Sequence, residues 1–186
     1  EGIEQADAVL LIGTNPRLEV AVLNARILKR WRQTQGRLPI GLIGEPADLT
    51  YAYDHLGAGP ETLAKLAAGS HPFLEKAKGA ERPLVILGQA AIARPDGAAV
   101  LALAAKAAQA MGAVKPDVGW NGFSVLHTAA ARVAGLDLDL VPAKGGKDVK
   151  AILDGAGKGE IEAVYLLGAD EIETERLGHA FVIYQG

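Results

Sequence analysis

Cysteine is absent from this 186-residue chain, and that absence excludes several kinds of chemistry. Without thiolates the chain supplies no disulfide, no cysteine nucleophile, no thiolate zinc site and no ligand set for an iron-sulfur cluster. Any electron-carrying cluster must therefore lie elsewhere. We expect neither a bound cofactor nor a metal site within these residues.

Positive charge is also in short supply. The 19 Lys and Arg residues are outnumbered by 22 Asp and Glu residues, which gives a formal net charge of -3. Proteins that bind the phosphates of nucleic acids obtain most of the binding free energy from basic side chains. We therefore expect no nucleic acid partner. Aromatic residues make up only 5% of the chain, and we interpret Trp31, Trp120 and Phe123 as packing residues rather than a base-stacking platform.

Long apolar runs are missing as well. None approaches the roughly 20 residues that a membrane-spanning helix needs, so we expect no direct insertion into a membrane. The chain opens at Glu1 without an initiator Met and stops at Gly186 just after an apolar run. From these ends we expect a fragment of a longer chain.

The chain does contain short apolar runs that end at glycine. Residues 8–12 precede Gly13, and apolar positions then recur at helical spacing from Arg17 to about Arg32. This strand, turn and helix pattern predicts an α/β fold with Rossmann-like parallel sheets flanked by helices. Further strands are predicted at 39–43, 84–87, 163–167 and 181–184, and helices at 60–68, 96–111, 121–133 and 145–153, with 46–59 as an irregular loop.

A glycine- and proline-containing stretch at 79–83 is the best candidate linker, because the strand and helix pattern restarts after it. We therefore predict two α/β units, one at 1–80 and the other at 81–186. In doubly wound sheets, ligands bind where strands end and the strand order reverses.

The turn from Gly13 to Arg17 is the strongest candidate site. Its backbone N–H groups could face an anion, and Arg17 could add a charge-assisted pair. The alternative is purely structural: Thr14 or Asn15 caps the following helix and Pro16 occupies its first turn. We favour the structural alternative and keep a bound ligand as the second possibility.

Familiar nucleotide-binding patterns fail. Lys147 and Lys158 follow glycines but lack both the leading glycine and the trailing Ser or Thr of a P-loop. The Gly57-Ala58-Gly59 segment lacks the third glycine of a dinucleotide motif, and we interpret it as a turn after a loop.

Catalytic and metal-binding patterns fail too. Ser124 and His127 are interpreted as a helical pair without the elbow that a catalytic serine needs. No two histidines share ligand spacing, and the acidic residues after Gly168 are expected to be solvated or to favour a helix N-terminus. These residues are His55, His71, His127 and His179, and Asp170, Glu171, Glu173 and Glu175.

Several longer segments carry a family resemblance. Together they resemble the molybdopterin-oxidoreductase-like region of the large iron-sulfur subunit of NADH-quinone oxidoreductase, respiratory complex I. The similarity spans the whole chain. The segments are 6–17 (ADAVLLIGTNPR), 24–26, 48–57, 69–73, 84–88, 96–98, 120–127 (WNGFSVLH), 166–170 and 181–186 (FVIYQG).

The resemblance implies domains of the molybdopterin oxidoreductase and formate dehydrogenase type. It also implies a parent enzyme that moves electrons from NADH to quinone through 4Fe-4S and 2Fe-2S clusters outside these residues. The chain itself would be a non-catalytic scaffold. Its expected partners are other peripheral-arm subunits, on the cytoplasmic face of the inner membrane or on the matrix side in a mitochondrion.

In cofactor-binding relatives, two loops would approach the pterin nucleotide. The resemblance therefore marks the positions of a vestigial pocket, which are Gly13, Thr14, Asn15, Arg17, Gly168 and Asp170. No catalytic residue is carried over. The alternative that stays open is a nucleotide- or molybdopterin-binding domain of a formate-dehydrogenase-like molybdoenzyme.

Overall fold

The computed structural model describes residues 2–186, and Glu1 and the side chain of Ala130 lie outside the described part. The chain divides into two compact units, Glu1–Ala130 (unit 1) and Ala131–Gly186 (unit 2). The helices are α1 (Pro16–Glu19), α2 (Ala21–Gln33), α3 (Pro60–Ala67), α4 (Phe73–Lys76), α5 (Gln89–Ile92), α6 (Gly97–Ala110), α7 (Ala130–Asp137) and α8 (Val149–Gly157). The strands are β1 (Ala8–Ile12), β2 (Ile40–Ile43), β3 (Asp54–Gly57), β4 (Pro83–Gly88), β5 (Val114–Lys115), β6 (Trp120–Asn121), β7 (Phe123–Leu126), β8 (Ala163–Leu167) and β9 (Phe181–Gln185).

A five-stranded sheet organises unit 1. Its order is β3-β2-β1-β4-β7, and every neighbouring pair is parallel. The chain builds outward from β1 to β3 on one side and then returns to place β4 on the other side of β1. The strand order therefore reverses between β1 and β4, which confirms the predicted α/β class with a parallel sheet flanked by helices.

Both faces of this sheet are covered. Along β1, Leu10 belongs to the core that includes residues of α3 and α6, whereas Leu11 belongs to the core that includes Ile27 of α2. This alternation follows from the two-residue period of a strand. Because both faces are buried, all five residues of β1 are apolar, as is typical of central parallel strands.

One buried polar group links α2 to the loop before β3. Asn24 is 5% exposed; its side-chain Nδ2 donates to the Leu49 carbonyl at 3.0 Å, and its Oδ1 accepts from the Tyr51 hydroxyl at 2.8 Å. Burial raises the pKa of Tyr51 above its ordinary value. The hydroxyl therefore stays protonated and keeps donating well into the alkaline range.

The structure divides the chain at a different place from the boundary predicted between residues 80 and 81. Strand β4 pairs with β1 along its length, from Ala8 beside Pro83 to Ile12 beside Leu87. The Asp7 carboxylate also accepts from the backbone N–H groups of Glu81 and Arg82, at 2.7 and 2.9 Å. The glycine- and proline-containing stretch at 79–83 therefore leads into a strand of the same sheet and is held to β1 by hydrogen bonds, so it is not a linker between two units.

Two predicted elements are wrong. Residues 123–126, expected within a helix from 121 to 133, form strand β7, and the helix α7 begins only at Ala130 and contains Gly135. Pairing of β7 with β4 overrides the local pattern, since Phe123 and Val125 pack into the sheet core. The predicted loop at 46–59 likewise contains β3, so Gly57 ends a strand and only Ala58 and Gly59 follow it.

Unit 2 consists of α8, a 3-10 helix and a two-stranded parallel sheet of β8 and β9, together with α7. Helix α8 starts four residues later than predicted, where Asp148 caps it by accepting from the Ala151 N–H at 2.8 Å. Val164 and Leu166 of β8 pack with Leu153 of α8. Across residues 2–186 no helix is long and apolar enough to cross a membrane.

Candidate functional site

A cavity of about 430 Å³ opens at the carboxyl ends of β1, β2 and β3, beside the turn that follows β4. This is the place where the strand order reverses, and ligands of doubly wound sheets bind there. Most of the wall is apolar. The lining residues are Ile12, Gly13, Thr14, Asn15, Glu19, Ile43, Gly44, Glu45, Pro46, Ala47, Ala58, Gly59, Pro60, Leu63, Ala91, Arg94, Asp96 and Val100.

Two glycines bring the turns after β1 and β4 into close contact. Gly13 has a φ of +57°, and a Cβ there would lie 2.6 Å from the Ala91 Cβ. A Cβ on Gly88 would lie 2.2 Å from the Gly13 carbonyl oxygen, which is backbone and cannot swing aside. The absence of side chains at both positions therefore lets the two turns approach each other beside the cavity.

The turn after Gly13 confirms the capping interpretation. Asn15 is the N-cap of α1, its side-chain oxygen accepts from the Leu18 N–H at 3.4 Å, and Pro16 occupies the first turn. The Glu19 N–H donates to the Asn15 carbonyl at 2.9 Å, which turns the chain back on itself. Glu19 is thereby carried over the turn that was predicted to face an anion.

The Glu19 carboxylate contacts that turn directly. Its Oε1 accepts from the Asn15 N–H at 2.5 Å and from the Thr14 hydroxyl at 3.1 Å. Thr14 is only 7% exposed, so its hydroxyl is directed at this carboxylate from within the protein. The Asn15 N–H and the Thr14 hydroxyl, which could have donated to a bound anion, therefore already donate to a carboxylate of the chain itself.

The remaining charges of the cavity are mostly negative. Arg94 forms a two-pronged ion pair with Asp96, at 2.9 and 3.1 Å, and this hydrogen bonding lowers the pKa of the Asp96 carboxyl and raises that of Arg94. Glu19 and Glu45 add two further carboxylates. Three carboxylates against one guanidinium leave a charge of -2 on the lining, which opposes a phosphate group.

Arg17, expected to add positive charge to the site, contacts Asp48 instead. Its guanidinium pairs with the Asp48 carboxylate and donates to the Asp48 carbonyl at 3.0 Å. The pKa of Asp48 is lowered, first by the Thr50 N–H and then by Arg17. The structure therefore brings Gly13, Thr14 and Asn15 to the cavity, whereas Arg17 is absent from its lining.

Gly168 and Asp170, the other two candidates, belong to unit 2. Gly168 follows β8 with a φ of +56°, and its N–H donates to the Gln185 carbonyl at 2.8 Å. Asp170 is exposed, and so are Glu171, Glu173 and Glu175, which confirms that these acidic side chains are solvated. A role of Gly168 and Asp170 in a pocket stays a prediction.

Two of the histidines contact backbone groups of neighbouring segments. His55 Nε2 lies 2.8 Å from the Gly44 carbonyl, and His71 Nδ1 accepts from the Phe73 N–H at 3.1 Å. Ser124 lies on strand β7, so the predicted helical pair with His127 is wrong. Within the described residues, no three His, Asp or Glu side chains come together as a metal site.

The four charged lining residues, Glu19, Glu45, Arg94 and Asp96, were not predicted from the sequence. Only Glu19 left a signal, because an acidic residue in the first turn after an N-cap favours the positive end of a helix. The other three reach the cavity from different segments that only the folded sheet brings together. Phe123 and Trp31 pack against the sheet cores, which confirms these two as packing residues. Trp120 Nε1 donates to the Pro83 carbonyl at 3.0 Å, and its interpretation as a packing residue stays a prediction.

Comparison with known proteins identifies the family. The molybdopterin oxidoreductase family model matches residues 1–186. The chain is 42% identical over 186 residues to the mitochondrial NADH dehydrogenase [ubiquinone] iron-sulfur protein 1 of Solanum tuberosum, with 100% of this chain and 23% of that protein covered.

Two further relatives agree. The chain is 39% identical to the NADH-ubiquinone oxidoreductase 75 kDa subunit of Reclinomonas americana, covering 99% of this chain and 26% of that protein. It is 38% identical to an NADH-quinone oxidoreductase subunit of Rickettsia bellii, covering 100% and 25%. The chain thus spans about a quarter of the length of these curated relatives. With the family model matching from end to end over a doubly wound sheet, the chain belongs to the molybdopterin oxidoreductase family.

Proposed function

We propose that this chain is a non-catalytic, structural part of the large iron-sulfur subunit of an NADH-quinone oxidoreductase. The whole enzyme would pass electrons from NADH to quinone through iron-sulfur clusters held by other residues of that subunit. Identity of 38–42% along the whole chain to relatives from three organisms, all bearing that kind of name, carries the proposal. The lack of cysteine supports a cluster location outside this chain.

The family also includes proteins that carry a molybdopterin, and the cavity can be tested for such a group. A pterin nucleotide brings phosphates, which need backbone N–H groups and cations. Here the Asn15 N–H and the Thr14 hydroxyl already contact the Glu19 carboxylate, and the lining charge is negative. The residues do not fit a phosphate-bearing cofactor, so we assign no reaction step to one.

In this role the chain would contact other subunits in the peripheral arm of a membrane-associated respiratory complex, on the cytoplasmic or matrix side. The packing of unit 1 supports a structural role, because both faces of its parallel sheet are covered and hydrogen bonds hold its connecting segments in place. Such a domain can hold a fixed shape without a ligand.

The test uses the full-length subunit within its complex. Val85 in β4 is fully buried, and Val85→Asp places an unpaired charge in the core of unit 1. We expect less assembled complex on native gels, with unchanged NADH oxidation and unchanged cluster electron paramagnetic resonance signals per assembled complex. The matched control is Glu75→Ala, since Glu75 is an exposed partner of Lys78. Normal assembly with slower NADH oxidation would overturn the proposal.

The position of the cavity at the strand crossover supports one second candidate, a nucleotide- or molybdopterin-binding domain of a formate-dehydrogenase-like enzyme, although the charge of its lining opposes it. Titration with guanine nucleotides separates the two candidates. A ligand at 100 times its Kd stabilises the fold by about 2.7 kcal/mol, which would appear as a higher melting temperature. An unchanged melting temperature with every nucleotide would reject this second candidate.

A further inference from the structure

We infer that the Glu19 carboxylate is a built-in anion at the turn after β1 and that it makes the cavity reject phosphate-bearing ligands. The inference deepens the proposed structural role and rests on it, because a chain that supports an assembly has no need of a nucleotide. Glu19 would then be the residue that determines what this cavity excludes.

Direct contacts carry the first step. One carboxylate oxygen of Glu19 accepts from both the Asn15 N–H and the Thr14 hydroxyl, at 2.5 and 3.1 Å. An incoming phosphate oxygen would use the same two donors. Since a donor pair satisfied by a carboxylate gains little from a second anion, the turn offers no net attraction while Glu19 is in place.

The backbone holds Glu19 in that position. The Val20 and Glu19 N–H groups donate to the Pro16 and Asn15 carbonyls, at 3.0 and 2.9 Å, so α1 is one closed turn. At the other side, the Arg17 pair with Asp48 fastens the same turn to the loop after β2. Glu19 therefore needs no ligand to bring it over Asn15.

The surrounding charge carries the second step. Arg94 could attract a phosphate, but the Asp96 carboxylate binds it through two hydrogen bonds. Glu45 adds another negative charge to the lining with no lysine present there. These carboxylates add to the repulsion, but neither accepts from the Thr14 hydroxyl or the Asn15 N–H, so Glu19 is the group that occupies the two donors.

Three variants of the chain test the inference, with inorganic pyrophosphate as the probe. Glu19→Ala removes both the carboxylate and its contacts, whereas Glu19→Gln removes the charge and keeps an oxygen that can accept. Glu75→Ala removes an exposed carboxylate that is not part of the cavity lining. Binding is followed by the amide NMR signals of Thr14 and Asn15 and by melting monitored through tryptophan fluorescence.

We expect the natural chain and Glu75→Ala to show no saturable change with pyrophosphate. Glu19→Ala should show saturable binding, roughly tenfold or more tighter than the weakest binding that the titration of the natural chain can detect, because a repulsion between close charges is removed, and the Asn15 amide signal should shift most. Glu19→Gln should gain less, because its amide oxygen still occupies the donors.

Two results would overturn the inference. If the natural chain binds pyrophosphate as tightly as Glu19→Ala, the carboxylate excludes nothing; if neither Glu19 variant gains binding, the turn is no anion site even when vacated. Should Glu19→Ala fail to fold, Glu19→Gln alone decides by the same criterion. Pyrophosphate binding tests only the role of Glu19, whereas the effect of Val85→Asp on assembly tests the proposed structural role. The two proposals can therefore fail independently of each other.

Discussion

Units 1 and 2 contain the same kind of parallel strand but bury it differently. All residues of β1 and β4 in unit 1 are buried, on both faces of a five-stranded sheet. In unit 2, β8 buries only alternate residues, and every residue of β9 is exposed. The outer face of the unit 2 sheet carries the exposed apolar side chains Tyr165, Leu167, Phe181 and Ile183.

The difference shows how much a parallel sheet depends on its cover. Parallel strands are usually hydrophobic on both sides because helices pack on both faces. The sequence of β9 is mostly apolar, as this rule predicts, but every residue of β9 is exposed. A two-stranded sheet is also marginally stable by itself. We therefore expect the stability of this chain to reside mainly in unit 1, and the following paired substitutions measure the contrast.

The largest effect is expected from truncating a core leucine. Leu10 in β1 is fully buried, so Leu10→Ala should lower the free energy of unfolding of unit 1 by about 2–5 kcal/mol, from lost burial and an unfilled cavity. Both tryptophans, Trp31 and Trp120, lie in unit 1, so urea unfolding followed by tryptophan fluorescence reports on it.

The matched variant is Leu167→Ala on the exposed face of β8. Leu167 is 68% exposed, and its loss should change stability by no more than about 0.5 kcal/mol. Protection of the Val164 and Leu166 amides against hydrogen exchange measures unit 2. Equal costs for the two substitutions would show that the outer face of β8 is packed in solution, which would break the comparison.

A glycine pair should give effects of opposite sign. Gly88→Ala pushes a Cβ against the Gly13 carbonyl, and the overpacking should destabilise unit 1 by about 1–3 kcal/mol. Gly135→Ala, inside α7, meets no atom within 4 Å and should stabilise that helix by about 0.5–1 kcal/mol. Urea unfolding by fluorescence measures the first and circular dichroism the second. If Gly88→Ala left the stability of unit 1 unchanged, it would contradict the close contact between the turns after β1 and β4.

The smallest effect is expected on the stability of unit 1 at acidic pH, through the ion pair of Glu4 with Arg26. Two hydrogen bonds from Arg26, both 2.7 Å, lower the pKa of Glu4 from 4.5 to about 2. Because the folded-state pKa is the lower one, this contribution is present above pH 4.5 and is lost as the pH falls from 4.5 toward 2. Glu4→Gln should therefore flatten the loss of unit 1 stability in that window, as measured by fluorescence-detected urea unfolding at several pH values.

The control for Glu4 is an acidic residue of unit 2. A hydrogen bond from Lys150 lowers the pKa of Asp154, with a further contribution from Arg176. Asp154→Asn should leave the fluorescence-detected pH dependence of unit 1 unchanged, because the tryptophans report only on unit 1. A flattened curve in this variant would show that the two units unfold together.

Where a stretch is wholly or almost wholly apolar, its pattern was sufficient for prediction. Strands β1 and β8 lie where predicted, and the helix expected at 96–111 is α6 within one residue at each end. The half-buried strand β7 was missed, because Phe-Ser-Val-Leu is ambiguous until β4 is placed beside it. A contact between distant segments, from Asp7 to residues 81–82, likewise explains why the boundary predicted between residues 80 and 81 does not separate two units.

The cavity shows the same division. Asn15 and Pro16 identify a helix start from local chemistry alone, and the structure confirms it. Arg94 and Asp96 lie far along the chain from Gly13, and nothing in their spacing connects them with it. Their place in the lining depends on β4 lying next to β1.

By itself the amino-acid sequence determined the α/β class, the lack of sulfur ligands and the position of the turn after β1, because composition, apolar periodicity and capping act over a few residues. Only the tertiary structure decided the strand order, the division at residue 130 and the contact of Glu19 with the turn. These features depend on which distant or folded-back segments meet, and that follows from the burial of two sheet faces at once rather than from any local pattern.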